Sequence, residues 1–476
     1  MVLEYWEEGQ GFRPCPLWGL TMSYNDCQHD KPHDPAKCRF CRNFHEFEFP
    51  DTLIGEILSD KVVLFAGAGV STEDRNVFPY TFYEDICQEL KVSVEENLSF
   101  SDLMTRYCAQ PNGRANLLRK IRERLNYIRS FPELYGIATR FHSELSTFFF
   151  INSIITTNWD DYFERECGAI PFVTPEDFAF WSIPGRKVFK IHGSISNFGS
   201  IVATTEDYNN CYDRLEKGVL GSNLKLMLAT KTLLYVGYSF NDDDFIRIHS
   251  ILRKEMGQLM PHGFIVTLDH EGEERYHELG LTPIFTDATY FISVLKKHTV
   301  QDGHMLADDI FEEVFEELIS VREAHDLLWK EFDITKSPEI LYAASYQDGL
   351  IHAFERIIAL KNTGYYSHKC NITNTLNGYD NLRKEKLKAK KYHDVAYIDG
   401  YMNGLLYLLV DQDIKEDLPF YYLFGAKDQP RTFDEFSELR SHAFDYHKSS
   451  YRYAINLIRN KGYHNGMVVH HAPFLM

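Results

Sequence analysis

Apolar and polar positions follow one another along this chain in two rhythms. Between Asp51 and about Asp269, short β-branched runs alternate with stretches whose apolar residues recur every three or four positions. The short runs predict buried strands and the intervening stretches amphipathic helices, the pattern of βαβ units around a largely parallel sheet. The strand candidates are KVVLFA at 61–66, INSIITT at 151–157, KVFKIH at 187–192, TLLYVGY at 232–238 and GFIVTL at 263–268, with a further one near SIVAT at 200–204. The interval between the first two holds RANLLRKIRERLNYI and ELYGIATRFHSEL, both helically spaced. That is more chain than a crossover needs, so a helical insert over one sheet edge is expected.

Beyond about Leu306 the strand rhythm fades. ADDIFEEVFEELISVREAHDLLWKEF, EILYAASYQDGLIHAFERIIAL, VAYIDGYMNGLLYLLV and FDEFSELRSHAFDYHKSSYRYAINLIRN predict a mostly helical region over 306–476. The first 50 residues follow neither rhythm and are rich in cysteine and histidine. Three parts are therefore expected: a Cys/His-rich segment at 1–50, an α/β domain at 51–305, and a helical domain at 306–476. One run, RKEKLKAKK at 383–391, is basic within an acidic chain. It reads as a solvated helix face or as a contact for a partner or polyanion.

Composition narrows the function classes. The 476 residues are 44% hydrophobic and 25% charged, with 69 acidic against 50 basic residues, a formal charge of −19. This is ordinary for a globular protein and argues against a nucleic-acid surface spread over the chain, which needs clustered Lys and Arg. No nucleic-acid module is recognisable. The apolar run GLLYLLV at 404–410 is far short of the ~18–20 residues of a membrane span. The acidic start MVLEYWEEGQG lacks the apolar region of a secretory signal, and the cysteine count of nine is odd. A cytoplasmic protein with reduced thiols is expected.

Four strand candidates end in polar or glycine-bearing motifs. The first feeds into AGAGVS, Ala66 to Ser71, where glycines let the backbone turn tightly and a following helix would aim N–H groups at an anion. The third glycine of a full dinucleotide fingerprint is absent, Thr72 standing there. The second ends in TTNWDD, where Asn158 or Asp160 either caps the helix beginning DDYFERE or holds a ligand. The third ends in KIHGSI with His192, and the fourth in VGYSFNDDDF with Gly237 and Ser239, Asp242 being a candidate helix cap. Ligands of open α/β sheets bind at the carboxyl ends of the strands, where all four motifs fall.

In this order the motifs resemble the sirtuin family: GAGVS its GAG-x-S loop, TTNWD its T-x-N-x-D strand end, KIHGS its catalytic HG, and GYS its later glycine–serine loop. The resemblance covers roughly residues 55–270 and implies a Rossmann-like parallel sheet flanked by helices. Two features of protein-deacetylating sirtuins are missing. STEDRNVFPYTF stands where they carry an arginine-bearing segment, and only Cys211 lies where they carry a four-cysteine zinc module. The version lacking both resembles the sirtuin-like domains of bacterial anti-phage defence proteins, which hydrolyse NAD⁺.

The resemblance implies catalytic roles for Asn158 and His192 and an NAD⁺ site at Gly67, Ala68, Gly69, Ser71, Thr157, Asp160, Gly237 and Ser239. Asn158 would hold the ribose hydroxyls or a water, His192 would act as base, and Asp160 would orient the Asn158 loop. Nicotinamide and ADP-ribose would be the products, and NAD⁺ depletion would abort infection. Two other readings stay open: a module that senses NAD⁺ or ADP-ribose without cleaving it, and a deacylase or ADP-ribosyltransferase. An uncontrolled NADase would kill its host, so a gate is expected, through homo-oligomerisation and a partner such as a HerA-type hexameric ATPase. In the leader, Cys15, Cys27, Cys38 and Cys41 end in C-x₂-C, with His29, His33 and His45 nearby. Structural zinc and free thiols are the alternatives.

Overall fold

The computed structural model describes residues 41–71, 75–96, 98–238, 250, 254, 257, 262–410, 418–441 and 447–474. The chain divides into two compact units, Met1–Leu295 and Lys296–Met476.

The first unit is built on a sheet of seven strands: β1 (Val62–Ala66), β2 (Ser153–Thr156), β3 (Ile170–Phe172), β4 (Lys187–Lys190), β5 (Thr232–Val236), β6 (Gly263–Thr267) and β7 (Leu281–Phe285). They lie in the order β3-β4-β2-β1-β5-β6-β7, and every pairing is parallel. β1, β5 and β6 are buried at every position, as expected for strands covered on both faces. Val63, Phe65, Ile155, Phe189, Leu233 and Tyr235 share one core, in which Phe65 stacks on Tyr235 at 5.1 Å. Their neighbours Val62, Leu64, Ile154, Val188 and Leu234, pointing to the opposite face, are also buried.

Five of the six strand expectations correspond to strands. SIVAT at 200–204 does not: a 3-10 turn ends at Ser200, and Thr204 caps the helix Thr205–Lys217 through a box with Asp207. A polar cap, rather than a ladder partner, is what this stretch supplies. Conversely β3 and β7 carry Pro171 and Pro283, which mask their strand character in sequence. Both lie at sheet edges, where a missing N–H is tolerated.

The expected insert is a run of helices, Phe82–Leu90, Phe100–Cys108, Gly113–Ser130, Pro132–Ala138 and Arg140–Ser146. Leu117, Ile121, Leu125 and Ile128 form the buried face of the longest. That face shares a core with Tyr162, Ile195 and Ala203 from the segments after β2 and β4, so the insert backs the strand ends.

The second unit is helical: Ile310–Glu331, Ile340–Ala359, Lys369–Lys388, Tyr392–Leu406, Phe433–Ser441 and Lys448–Lys461. The second and fourth of these cross closely because each offers a glycine. A Cβ at Gly349 would lie 2.1 Å from the Tyr397 carbonyl oxygen, and one at Gly400 2.0 Å from that of Tyr346. The basic run ends the helix Lys369–Lys388, where positive charge complements the helix dipole. Arg383 pairs with Asp399, and Lys386 with Asp394 at 3.1 Å. No helix among the described residues is long and apolar enough to cross a membrane.

Candidate active site

Register brings the motifs to one level. Ala66 pairs with both Thr156 and Val236, and Thr156 pairs with Lys190. Ala68, Asn158, His192 and Tyr238 each follow one of these paired residues by two positions and so form a row of loop residues just past the ladder. Backbone bonds continue the pairing past the strands, from Gly67 N to Val236 O (2.9 Å), Gly69 N to Gly237 O (3.0 Å) and Ile191 N to Thr156 O (3.0 Å). Asn158 and His192 thus leave adjacent strands, β2 and β4, side by side, with strand spacing about 4.8 Å.

The glycines are required by the fold itself. Gly237 has φ +67°, and its carbonyl would meet a Cβ on Gly67 at 2.6 Å and one on Gly69 at 2.8 Å. Two loops cross there with no room for side chains. The helix expected directly after the glycine loop is a 3-10 turn, Ala68–Val70, and the next described helix begins at Phe82. The N–H groups of Gly67, Gly69 and Ser71 all bond within the fold, so the anchor at this loop is a tight crossing rather than a helix N-terminus.

Asn158 does not cap the helix that follows. Its Nδ2 reaches back to donate to the Gly67 carbonyl (3.0 Å) and to Ser71 Oγ (3.2 Å). Its backbone N–H donates to Thr156 Oγ1 (3.0 Å), and that hydroxyl donates to Ala66 O (2.8 Å). Asn158 Oδ1 is buried and accepts from no group among the described residues. Asp160 takes the capping role: Oδ1 accepts from Tyr162 N (3.2 Å), at the start of the helix Tyr162–Cys167, and Oδ2 from Ser71 Oγ (3.1 Å). Ser71 is thus the hinge between the amide and the carboxylate.

Lys190 carries weight that the strand pattern understates. It is 1% exposed, donates to the Asp160 carbonyl and pairs with Glu164 at 3.3 Å. Burial pushes the Asp160 and Glu164 carboxyls above the usual range, and the Lys190 ammonium opposes both shifts. A lysine inside the apolar run KVFKIH was the signal for this buried group. Tyr238 is a second such residue, its hydroxyl lying 3.2 Å from Thr157 Oγ1 and donating to Ala66 O at 3.3 Å. His192 is 2% exposed and meets Tyr208 edge-on at 4.9 Å. The turn after it demands Gly193, whose φ is +82° and whose Cβ would strike the Ser200 carbonyl.

A cavity of about 300 Å³ opens beside this row over the ends of β1, β5, β6 and β7. Gly69, Gly237, Tyr238, Asp269 and Thr286 line it, with Arg140 paired to Asp287 at 2.8 Å in its wall. Its size suits a nucleoside rather than a whole dinucleotide. Asn158 and His192 do not line it; both are buried against the neighbouring loops. Ser239, Asp242, Cys15, Cys27 and Cys38, with His29 and His33, lie outside the described residues. Cys41 begins a 3-10 turn, Cys41–Asn43, and His45 is bound through its backbone to Thr286.

An all-parallel sheet whose strand order reverses about β1, with a glycine crossing and polar side chains at its carboxyl rim, defines a Rossmann-like α/β fold. Comparison gives its type: residues 152–295 match the family described as a SIR2-like domain. The chain is 29% identical over 219 residues to the NAD(+) hydrolase ThsA of Cytobacillus dafuensis, covering 44% of this chain and 42% of that protein. It is 27% identical over 232 residues to the NAD(+) hydrolase ThsA of Enterococcus faecium, covering 45% and 47%. With the protein of that name from Bacillus cereus (strain MSX-D12) it shares 24% over 205 residues, covering 42% and 41%. Residues 152–295 are thus similar to a SIR2-like domain, and the matches span less than half the length of these relatives.

Proposed function

We propose that the Sir2-type domain hydrolyses NAD⁺ to nicotinamide and ADP-ribose. The observation that carries this reading is the row at the strand ends, where a buried amide with a spare acceptor and an imidazole follow the adjacent strands β2 and β4, near a nucleoside-sized cavity. The adenosine half would occupy the cavity, with the pyrophosphate crossing Gly67–Ser71 towards β2 and β4. Asn158 Oδ1 then accepts from a ribose hydroxyl or the attacking water, while its Nδ2 stays anchored on Gly67 and Ser71. Cleavage breaks the C1′–nitrogen bond, and its electron pair neutralises the pyridinium as nicotinamide leaves. Water adds to C1′ and its proton passes to His192.

An anti-phage role by NAD⁺ depletion belongs to the same proposal. So do a cytoplasmic setting, self-association, gating by a partner such as a HerA-type ATPase, and structural zinc at Cys15, Cys27, Cys38 and Cys41. The relatives' name, NAD(+) hydrolase, supports the chemistry. A module that binds NAD⁺ or ADP-ribose without cleavage is the second reading, favoured by the burial of Asn158 and His192. Incubating the purified chain with NAD⁺ and measuring free nicotinamide separates the two. Nicotinamide release that is lost in both Asn158→Ala and His192→Ala supports hydrolysis. Release at the parental rate in both variants overturns the assignment.

A further inference from the structure

In the helical unit we propose a transition-metal site of the zinc class, formed by His393, Asp394 and His471. His393 and Asp394 open the helix Tyr392–Leu406, and His471 arrives from the C-terminal tail, 77 positions beyond Asp394. Asp394 Oδ1 lies 3.2 Å from His393 Nε2 and 3.2 Å from His471 Nε2, and the three ligand atoms lie within 4.8 Å of one another. A tetrahedral ion bound at about 2.0–2.1 Å by nitrogen and oxygen separates its ligands by about 3.3 Å. The two carboxylate–imidazole edges match that spacing, and the edge between the imidazoles lies within 4.8 Å.

The orientation of both rings fits a bound ion. His471 Nδ1 lies 2.6 Å from the Ala472 carbonyl oxygen, which only accepts, so Nδ1 carries a proton. Nε2 is then the nitrogen presented to Asp394 Oδ1, so that an ion placed between the two would be bound by both. His393 Nδ1 is held by the Tyr453 hydroxyl at 2.7 Å. Each histidine thus has its far nitrogen oriented by an oxygen partner, as metal-bound histidines do. The other carboxylate oxygen, Asp394 Oδ2, is held by Lys386 Nζ at 3.1 Å. The side chains of Asp394 and His471 are 11% and 8% exposed and that of His393 24%, leaving water access for a fourth ligand.

A neighbouring group, His325, Asp348 and His470, makes a useful contrast. Trp329 donates its indole N–H to His325 Nε2 at 3.0 Å, and Nδ1 faces Gln347 Oε1 at 3.1 Å. Its lone pair is already used, and Nε2 stands 4.0 Å from Asp348. Asp348 anchors the tail instead, meeting His470 Nδ1 at 3.0 Å and accepting from the His471 N–H at 2.5 Å. Two imidazoles and one carboxylate favour Zn²⁺, Co²⁺ or Ni²⁺ over Mg²⁺ and Ca²⁺, which prefer all-oxygen shells. Lys386 beside the carboxylate sharpens that preference, because it weakens the oxygen's share of the binding.

The test uses the full chain, stripped with chelator, dialysed and loaded with Co²⁺ or Zn²⁺. Co²⁺ separates this site from the cysteine-rich leader, since thiolate ligands add an intense charge-transfer band that nitrogen and oxygen ligands lack. In the Cys38→Ser/Cys41→Ser background the expected result is one equivalent bound without that band, kept on adding His470→Ala and lost on adding His393→Ala or His471→Ala. Zn²⁺ should also protect the tail from carboxypeptidase in the parent but not in His393→Ala. Unchanged stoichiometry in both histidine variants, or loss of all binding in the cysteine variant, overturns the proposal.

Discussion

Replacing Asn158 by aspartate changes one atom of the site and reverses its hydrogen bonding. Nδ2 donates to Gly67 O at 3.0 Å and to Ser71 Oγ at 3.2 Å. In the variant those become contacts between acceptors, because the Ser71 hydroxyl already donates to Asp160. Two lost bonds cost about 1 kcal/mol each, and burying a second carboxylate beside Asp160 adds a further 1–3 kcal/mol or so. The sum is about 3–5 kcal/mol at about pH 8, a fall in Tm of roughly 6–20 °C for a domain of this size. A carboxyl raised by folding binds its proton more tightly in the folded state, so the variant recovers stability as pH falls, its new O–H donating again to Gly67 O. Asn158→Ala loses the same two bonds without burying charge, so its deficit of about 2 kcal/mol stays level with pH. The assay is thermal unfolding of both variants and the parent at about pH 8 and about pH 5.5, with nicotinamide release measured alongside. The reasoning fails if the aspartate variant matches the alanine variant at the higher pH, or if its deficit does not shrink on acidification.

Three further outcomes follow from the same structure. Gly237→Ala should lose about 2–4 kcal/mol by urea unfolding, since φ +67° is strained for alanine and its Cβ would lie 2.7 Å from Val70 Cγ1; a loss under about 1 kcal/mol would mean the crossing is looser than described. Lys190→Met should cost about 3–5 kcal/mol by stranding Glu164 and the Asp160 carbonyl in the interior, and Tm reads it. His142 is fully buried against Phe163 at 4.4 Å, and burial holds its pKa at about 3. Since the unfolded chain takes up that proton first, stability should fall as pH drops below about 6.5, by about 2 kcal/mol at pH 5. His142→Phe should flatten that dependence by the same amount, and an unchanged slope would assign the acid sensitivity to other groups.

Much of the site was legible because strands that must be buried end abruptly in polar residues. KVVLFA, INSIITT, KVFKIH and TLLYVGY could be read as strands from their apolar runs alone, and the residues at their ends followed. Their glycines could be recognised without knowing whether a ligand or another loop demanded them. The crossing of Gly67 and Gly69 with Gly237 answers that, because the contact joins positions 170 apart or nearly so. Asn158 and Asp160 likewise offered the same cap in sequence, and only the proximity of Gly67 and Ser71 draws the amide away from the helix.

Local chemistry along the chain determined which segments become strands or helices and which polar groups terminate them, since hydrophobic periodicity and turn residues act over a few positions. Which strands become neighbours was decided by the fold, through side-chain packing between distant segments. So were the acceptance of β3 and β7 despite their prolines, the burial of Lys190 between Asp160 and Glu164, and the meeting of His471 with His393 and Asp394. These depend on contacts across long stretches of chain, and spacing along a sequence carries no record of them.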